Sequence, residues 1–160
     1  MSKMTAILGH PDRVKKLAAD IVQHYESLCA KKPEILQKAM IVCADRALAF
    51  RVLKEIVSIR PEWGEAKKAE DESQLPKEEL DKLMALPKVN LVVTQGQNDE
   101  KDLFEACGTK EYRKKLDKQL KNNNSNFKIA IVVDMWITGF DVPSLAVMYI
   151  DKPLQKHTLI

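Results

Sequence analysis

The sequence predicts an α/β domain of three αβα layers, with helices on both faces of a mostly parallel sheet. Two observations carry this. Short apolar runs without polar alternation recur at 38–44, 89–94, 128–135 and 145–151, the way strands buried on both faces read. Amphipathic helical patterns separate them, so the order is helix, strand, helix, strand, helix, strand, loop, strand, with no internal repeat. The length agrees: 160 residues suit a single domain with a full core.

The elements follow in order. Val14, Leu17, Ala18, Ile21, Val22, Tyr25 and Leu28 recur at helical spacing, Pro11 suits a first turn, and Lys31-Lys32-Pro33 ends the helix. The run at 38–44 is the first strand, with Cys43 as a core residue. Asp45 is placed to cap a second helix whose inner face is Leu48, Ala49, Val52, Leu53 and Ile56, and Pro61 stops it. Residues 62–88 are acidic, contain Pro76 and Pro87, and read as an insertion with at most one short helix, near 77–86. After the strand at 89–94, Asn98 or Asp99 caps a helix that turns Leu103, Phe104 and Cys107 inward. Gly108-Thr109 interrupts it, and a basic helix resumes with Tyr112, Leu116 and Leu120. Residues 122–126 are turn material before the last two strands.

Composition excludes several classes. The chain is 45% hydrophobic and 31% charged, and its apolar runs are too short to span a bilayer. Residues 1–5 lead into no signal-peptide core, so a cytoplasmic protein is expected. Cys29, Cys43 and Cys107 form no C-x-x-C pair and share no ligand spacing with His10, His24 or His157. That argues for reduced thiols and no metal site. Net charge is only +3, but residues 62–82 carry 8 acids against 4 bases and residues 110–128 carry 7 bases against 2 acids. The basic stretch is either a solvated helix face or a source of phosphate contacts.

Right-handed crossovers place the strand C-terminal ends along one edge, where ligands bind in open α/β sheets. The sequence has no G-x-x-x-x-G-K-[ST], no G-x-G-x-x-G, no G-x-S-x-G and no H-E-x-x-H, hence no phosphate cradle or hydrolase elbow of its own. What stands out is Val133-Asp134-Met135-Trp136-Ile137-Thr138-Gly139-Phe140-Asp141-Val142-Pro143-Ser144-Leu145. Thr138 can donate to a phosphate oxygen, Gly139 admits close backbone approach, and Asp141 can accept from ribose hydroxyls. Alternatively, Asp141 only turns the chain. Trp136 and Phe140 read as core anchors or stacking groups.

This string resembles motif V of superfamily-two helicases and translocases. Extended through Met148-Tyr149-Ile150-Asp151-Lys152-Pro153-Leu154, it is similar to the motor (R) subunit of type I restriction endonucleases. Residues 38–49 resemble that subunit's motif IV strand and helix start, and His10-Pro11-Asp12-Arg13 fits the lead-in. The resemblance implies a single C-terminal RecA-like helicase lobe over 1–160, P-loop NTPase-type but lacking the P-loop, with 62–88 inserted. It implies one wall of an ATP cleft and part of a duplex DNA track, in a motor that translocates DNA before a separate nuclease domain cuts. Gly139 and Asp141 would face the nucleotide, and Asp134 and Thr138 would couple it to DNA. Asp45, Arg46 and Gln95 would lie near the DNA backbone. ATP and Mg²⁺ would serve the complete motor, with the P-loop lobe, duplex DNA, and methyltransferase and specificity subunits as partners.

Motif VI would follow Leu159-Ile160, and no arginine occurs after Arg113. An arginine that stabilises the transferred phosphoryl group is worth about 10³–10⁵ in rate. The resemblance therefore implies a fragment that is inactive alone and binds no cofactor tightly. A non-catalytic α/β module that binds nucleic acid or protein is the alternative, as is a lobe of another superfamily-two DNA motor.

Overall fold

The computed structural model describes residues 10–32, 38–133 and 145–151. Four parallel strands form one sheet in the order β2-β3-β1-β4: β1 (Lys38–Cys43), β2 (Val89–Leu91), β3 (Ile129–Val133) and β4 (Leu145–Asp151). Helices α1 (Pro11–Lys31), α2 (Arg46–Ile59), α3 (Lys77–Leu80), α4 (Lys101–Cys107) and α5 (Lys110–Lys121) flank it. This is a three-layer α/β arrangement consistent with a RecA-like fold. Among the described residues no helix is long and apolar enough to cross a membrane.

Burial on both faces explains why β3, and β1 after Lys38, are apolar throughout. Ala39, Ile41, Cys43, Ile129 and Ile131 pack under α1 and α2, against Val14, Ile21, Leu48, Val52 and Ile56. Met40, Val42, Ala130 and Val132 pack on the opposite side against Leu116 and Leu120 of α5, with Leu86 and Phe127. Leu103 and Cys107 of α4 join the first cluster, but Phe104 is 43% exposed, contrary to its expected inward position. Its neighbours Leu103 and Cys107 already occupy the buried side of this short helix.

The edge strand β4 also departs from expectation. Val147 and Tyr149 lie on the α1 side, while Met148 and Ile150 are exposed on the other. The alternation is hidden in the sequence because both faces carry apolar side chains. In register, Met148 stands beside Met40 and Ile150 beside Val42, so this face of the sheet leaves cover at β4. On the covered face, Arg13 makes a bidentate pair with Asp151 (2.8 and 2.7 Å), and His24 Nδ1 lies 2.7 Å from the Tyr149 hydroxyl.

The acidic insertion is ordered. Besides α3 it holds two 3₁₀ turns, Pro61–Gly64 and Glu72–Gln74, beyond the single short helix expected. Trp63 is buried, edge-on to Tyr25 with ring centroids 5.7 Å apart. Lys67 and Leu86 exchange backbone hydrogen bonds (3.1 and 3.0 Å) that close the insertion's base. The Gln119 side chain pins its far end, accepting from Met84 N–H (3.0 Å) and donating to Lys82 C=O (3.3 Å).

Candidate functional site

Parallel strands bring their C-terminal ends to one edge of the sheet. Cys43, Val133 and Asp151 stand in one row across β3, β1 and β4, and β2 leaves beside them through Val92, Val93 and Thr94. The loops after β1 and β2 are described in full. Asp134, Thr138, Gly139 and Asp141, with Trp136 and Phe140, follow β3 in sequence and lie outside the described residues.

Asp45 has the extended backbone of an N-cap, and its Oδ1 accepts from Leu48 N–H at 2.7 Å. This satisfies one of the donors that the first turn of α2 leaves unpaired. Arg46 follows and reaches across to the loop after β2. Its Nε donates to Thr94 C=O (2.7 Å), Nη1 donates to Asp99 Oδ1 (2.7 Å), and Nη2 donates to Asp99 Oδ2. Gly96 N–H also donates to Asp99 Oδ2, at 2.6 Å. A Cβ at position 96 would lie 2.8 Å from both Arg46 Nη1 and Asp99 Oδ1, so a side chain there would make the ends of this pair shift. The planar guanidinium fork suits a carboxylate, and the pair braces two loops across the strand ends.

The electrostatics agree with the geometry. Hydrogen bonds from Arg46 hold the Asp99 carboxyl below the usual carboxylate range, and Asp99 raises Arg46 in turn. Burial pushes the Cys43 thiol up to about 12, with Asp151 and Asp45 adding to the shift. Burial also raises Cys107, although Arg46 opposes it. Both thiols are therefore poor nucleophiles at neutral pH. An open groove of about 630 Å³ runs beside the brace, lined by Arg46, Phe50, Arg51, Lys54, Asn98 and Asp102 among others. Among the described residues no group of three or more His, Cys, Asp or Glu could hold a metal ion.

Asp45 caps α2 as its position in the sequence suggests. Arg46 is at the expected edge, but its guanidinium is engaged by Asp99 and Thr94. Gln95 is also at this edge, and its Nε2 donates to Phe104 C=O (2.9 Å). Asp99 does not cap α4, and neither does Asn98. The residue preceding α4 is Glu100, with no side-chain capping bond, and the Asp99 carboxylate is taken up by Arg46. The Arg46–Asp99 pair joins positions far apart in sequence, and no local pattern announces it.

A family model for domain 3 of the type I restriction enzyme R subunit matches residues 14–160. The chain belongs to that family. Related R-subunit sequences include the type I restriction enzyme HindI endonuclease subunit of Haemophilus influenzae. It is 31% identical over 155 residues, covering 96% of this chain and 13% of the relative. The putative MjaIXP endonuclease subunit of Methanocaldococcus jannaschii is 30% identical over 159 residues, covering 99% of this chain and 13% of the relative. From the same organism, the putative MjaVIIP endonuclease subunit is 32% identical over 176 residues, covering 100% and 14%. This R-subunit domain thus spans 13–14% of the length of these relatives. The edge bearing Asp45, Arg46 and Gln95 falls within the matched region.

Proposed function

We infer that this domain serves as the second RecA-like lobe of an ATP-dependent duplex DNA translocase within a type I restriction endonuclease. The observation that carries the reading is the R-subunit family match over residues 14–160. The parallel sheet supports it: Val133, the last described residue of β3, stands in the same row as Cys43, at the strand edge where ligands bind in an α/β fold. In this reading Gly139 and Asp141 face the nucleotide, and Asp134 and Thr138 couple it to the DNA. Asp45, Arg46 and Gln95 shape the wall beside the track. Their described contacts are internal, so they act as scaffold for that wall.

ATP and Mg²⁺ would supply the free energy for translocation. Among the described residues the Arg46 fork is already bound to Asp99, which supports a bracing role for it and not a phosphate-binding one. No hydrolytic step is assigned to them. The P-loop lobe of the same subunit completes the cleft, and the methyltransferase and specificity subunits complete the assembly, in the cytoplasm. The isolated domain is expected to be inactive.

The test uses the full-length parent subunit in the assembled complex, measuring ATP hydrolysis with and without duplex DNA. Wild-type complex should show duplex-stimulated turnover, and Asp141→Ala should reduce it to background with assembly intact. A wild-type complex that hydrolyses no ATP would favour a non-catalytic binding module instead.

A further inference from the structure

A buried cation lies at the opposite, N-terminal end of the sheet, away from the edge that carries Asp45, Arg46 and Gln95. Lys38 opens β1 and is 0% exposed. Its Nζ donates to the carbonyls of Leu120 (2.5 Å), Asn122 (2.9 Å) and Phe127 (3.1 Å), with Gln119 C=O at 3.5 Å. Gln119 and Leu120 belong to the last turn of α5, whose carbonyls carry the negative end of the helix dipole; that of Gln119 also accepts from Asn122 N–H (3.1 Å). Asn122 and Phe127 bracket the turn that leads into β3. One ammonium thus joins β1 to the end of α5 and the approach to β3.

We propose that Lys38 is a proton-operated latch that fastens the end of α5 and the 122–127 turn to the sheet when charged and loosens them when neutral. The donor count gives the mechanism. An ammonium has three N–H donors, matching the three carbonyls within 3.1 Å. A neutral amine has two, so losing the proton breaks one of these three bonds, that to Asn122 C=O being the one whose acceptor keeps another donor, Ser125 N–H (3.1 Å), and it removes the charge that attracts the helix end.

The surroundings make that loss accessible near neutral pH. The charged group acting on Lys38 is another cation, Lys128, whose own Nζ donates to Asn123 C=O at 3.1 Å. Burial, reinforced by Lys128, lowers Lys38 to about 7, and the carbonyls act in the opposite sense by favouring the ammonium. Lys128 is itself lowered by burial and by Lys88, while Glu70 and Cys29 raise it.

The latch sits where three parts of the domain meet. Gln119 offers its carbonyl to Lys38 and its side chain to the insertion, through Met84 and Lys82. Asn126 fastens the same insertion, its Nδ2 donating to Leu86 C=O (2.9 Å) and its N–H to Lys68 C=O (3.1 Å). Loosening residues 119–127 would therefore release these attachments of the insertion together with the end of the basic helix, while Trp63 stays packed on Tyr25 and β1 keeps its backbone ladder.

Lysine side-chain NMR on the chain, titrated from pH 5 to 11, tests this directly. One Cε signal should titrate near 7, about three units below an ordinary lysine. It should vanish in Lys38→Met, and the backbone amides of 119–127 should shift with the same midpoint. Those amides should show no such inflection in Lys38→Arg, which stays charged throughout. Lys128→Met should move the Lys38 midpoint upward. An ordinary midpoint near 10.4 for Lys38, or amides of 119–127 that ignore its titration, would overturn the proposal. If Lys38→Met does not fold, through-bond assignment of the wild-type Lys38 signal decides between the same two midpoints.

Discussion

Replacing Gln119 with methionine isolates the attachment between α5 and the acidic insertion. Methionine keeps the length, lack of branching and helix preference of glutamine, so α5 should persist. It removes two bonds: Met84 N–H loses its acceptor and Lys82 C=O its donor. Lys82 is exposed and its carbonyl can turn to water, whereas Met84 is half-buried. An unsatisfied buried donor costs about 1–3 kcal/mol. The new methyl group returns at most about 1 kcal/mol of apolar burial. The net loss is about 1–2 kcal/mol, a factor of roughly 5–30 in an opening equilibrium. Amide hydrogen exchange reads this residue by residue. The bond is absent both when the insertion opens locally and when the whole chain unfolds. Met84 and the sheet amide of Ile131 should therefore lose protection by similar factors, with Met84 the less protected of the two throughout. In urea the midpoint should fall by roughly 0.5–1 M, for an m-value of about 2 kcal/mol/M. A Met84 amide whose protection changes less than about twofold would refute the reasoning.

Three further outcomes are expected. Asp45→Ala should lower the unfolding free energy by about 1 kcal/mol through loss of the bond to Leu48 N–H, read by thermal melting. Gly108→Ala should cost roughly 1–3 kcal/mol. Gly108 has φ 68°, and an added Cβ would lie 2.5 Å from Tyr112 Cδ1, so an unchanged melting temperature would contradict the strained geometry. Between about pH 8.5 and 12 the unfolded Cys43 thiol ionises while the folded one keeps its proton, so this residue makes stability fall as pH rises. Cys43→Ala should therefore flatten the alkaline slope of the unfolding free energy by roughly 1 kcal/mol per pH unit, measured by denaturation at pH 9 and 10.5.

The framework was legible because its signals are local. Helical spacing from Val14 to Leu28, the apolar run at 38–44, and Asp45 before Leu48 each follow from neighbouring residues, and the structure has a helix, a strand ending at Cys43 and a capped helix there. The departures come from partners distant in the chain. Asp99 reads as a helix cap until Arg46 reaches it from another loop. Lys38 reads as the polar end of an apolar strand because its partners are backbone carbonyls, which carry no residue identity. The wet face of β4 is hidden because Met148 and Ile150 are as apolar as the residues they leave unprotected. Of the candidate site, Asp45, Arg46 and Gln95 are at the expected edge. The motif containing Asp134, Thr138, Gly139 and Asp141 was legible as a residue string and lies outside the described residues.

The strand order has a consequence for synthesis. Within β1, Ala39 stands opposite Ile129 on one side and Val147 on the other. A ribosome releases β1 roughly ninety residues before its first neighbour exists, and still longer before its second. Helices α1 and α2 can cover one face of the waiting strand, but both of its hydrogen-bonding edges stay open until β3 and β4 follow. Interrupted or slow elongation before β4 would expose a flat apolar edge to any other nascent strand nearby. The domain's yield in a cell should thus depend on how quickly the stretch from β3 to β4 is made.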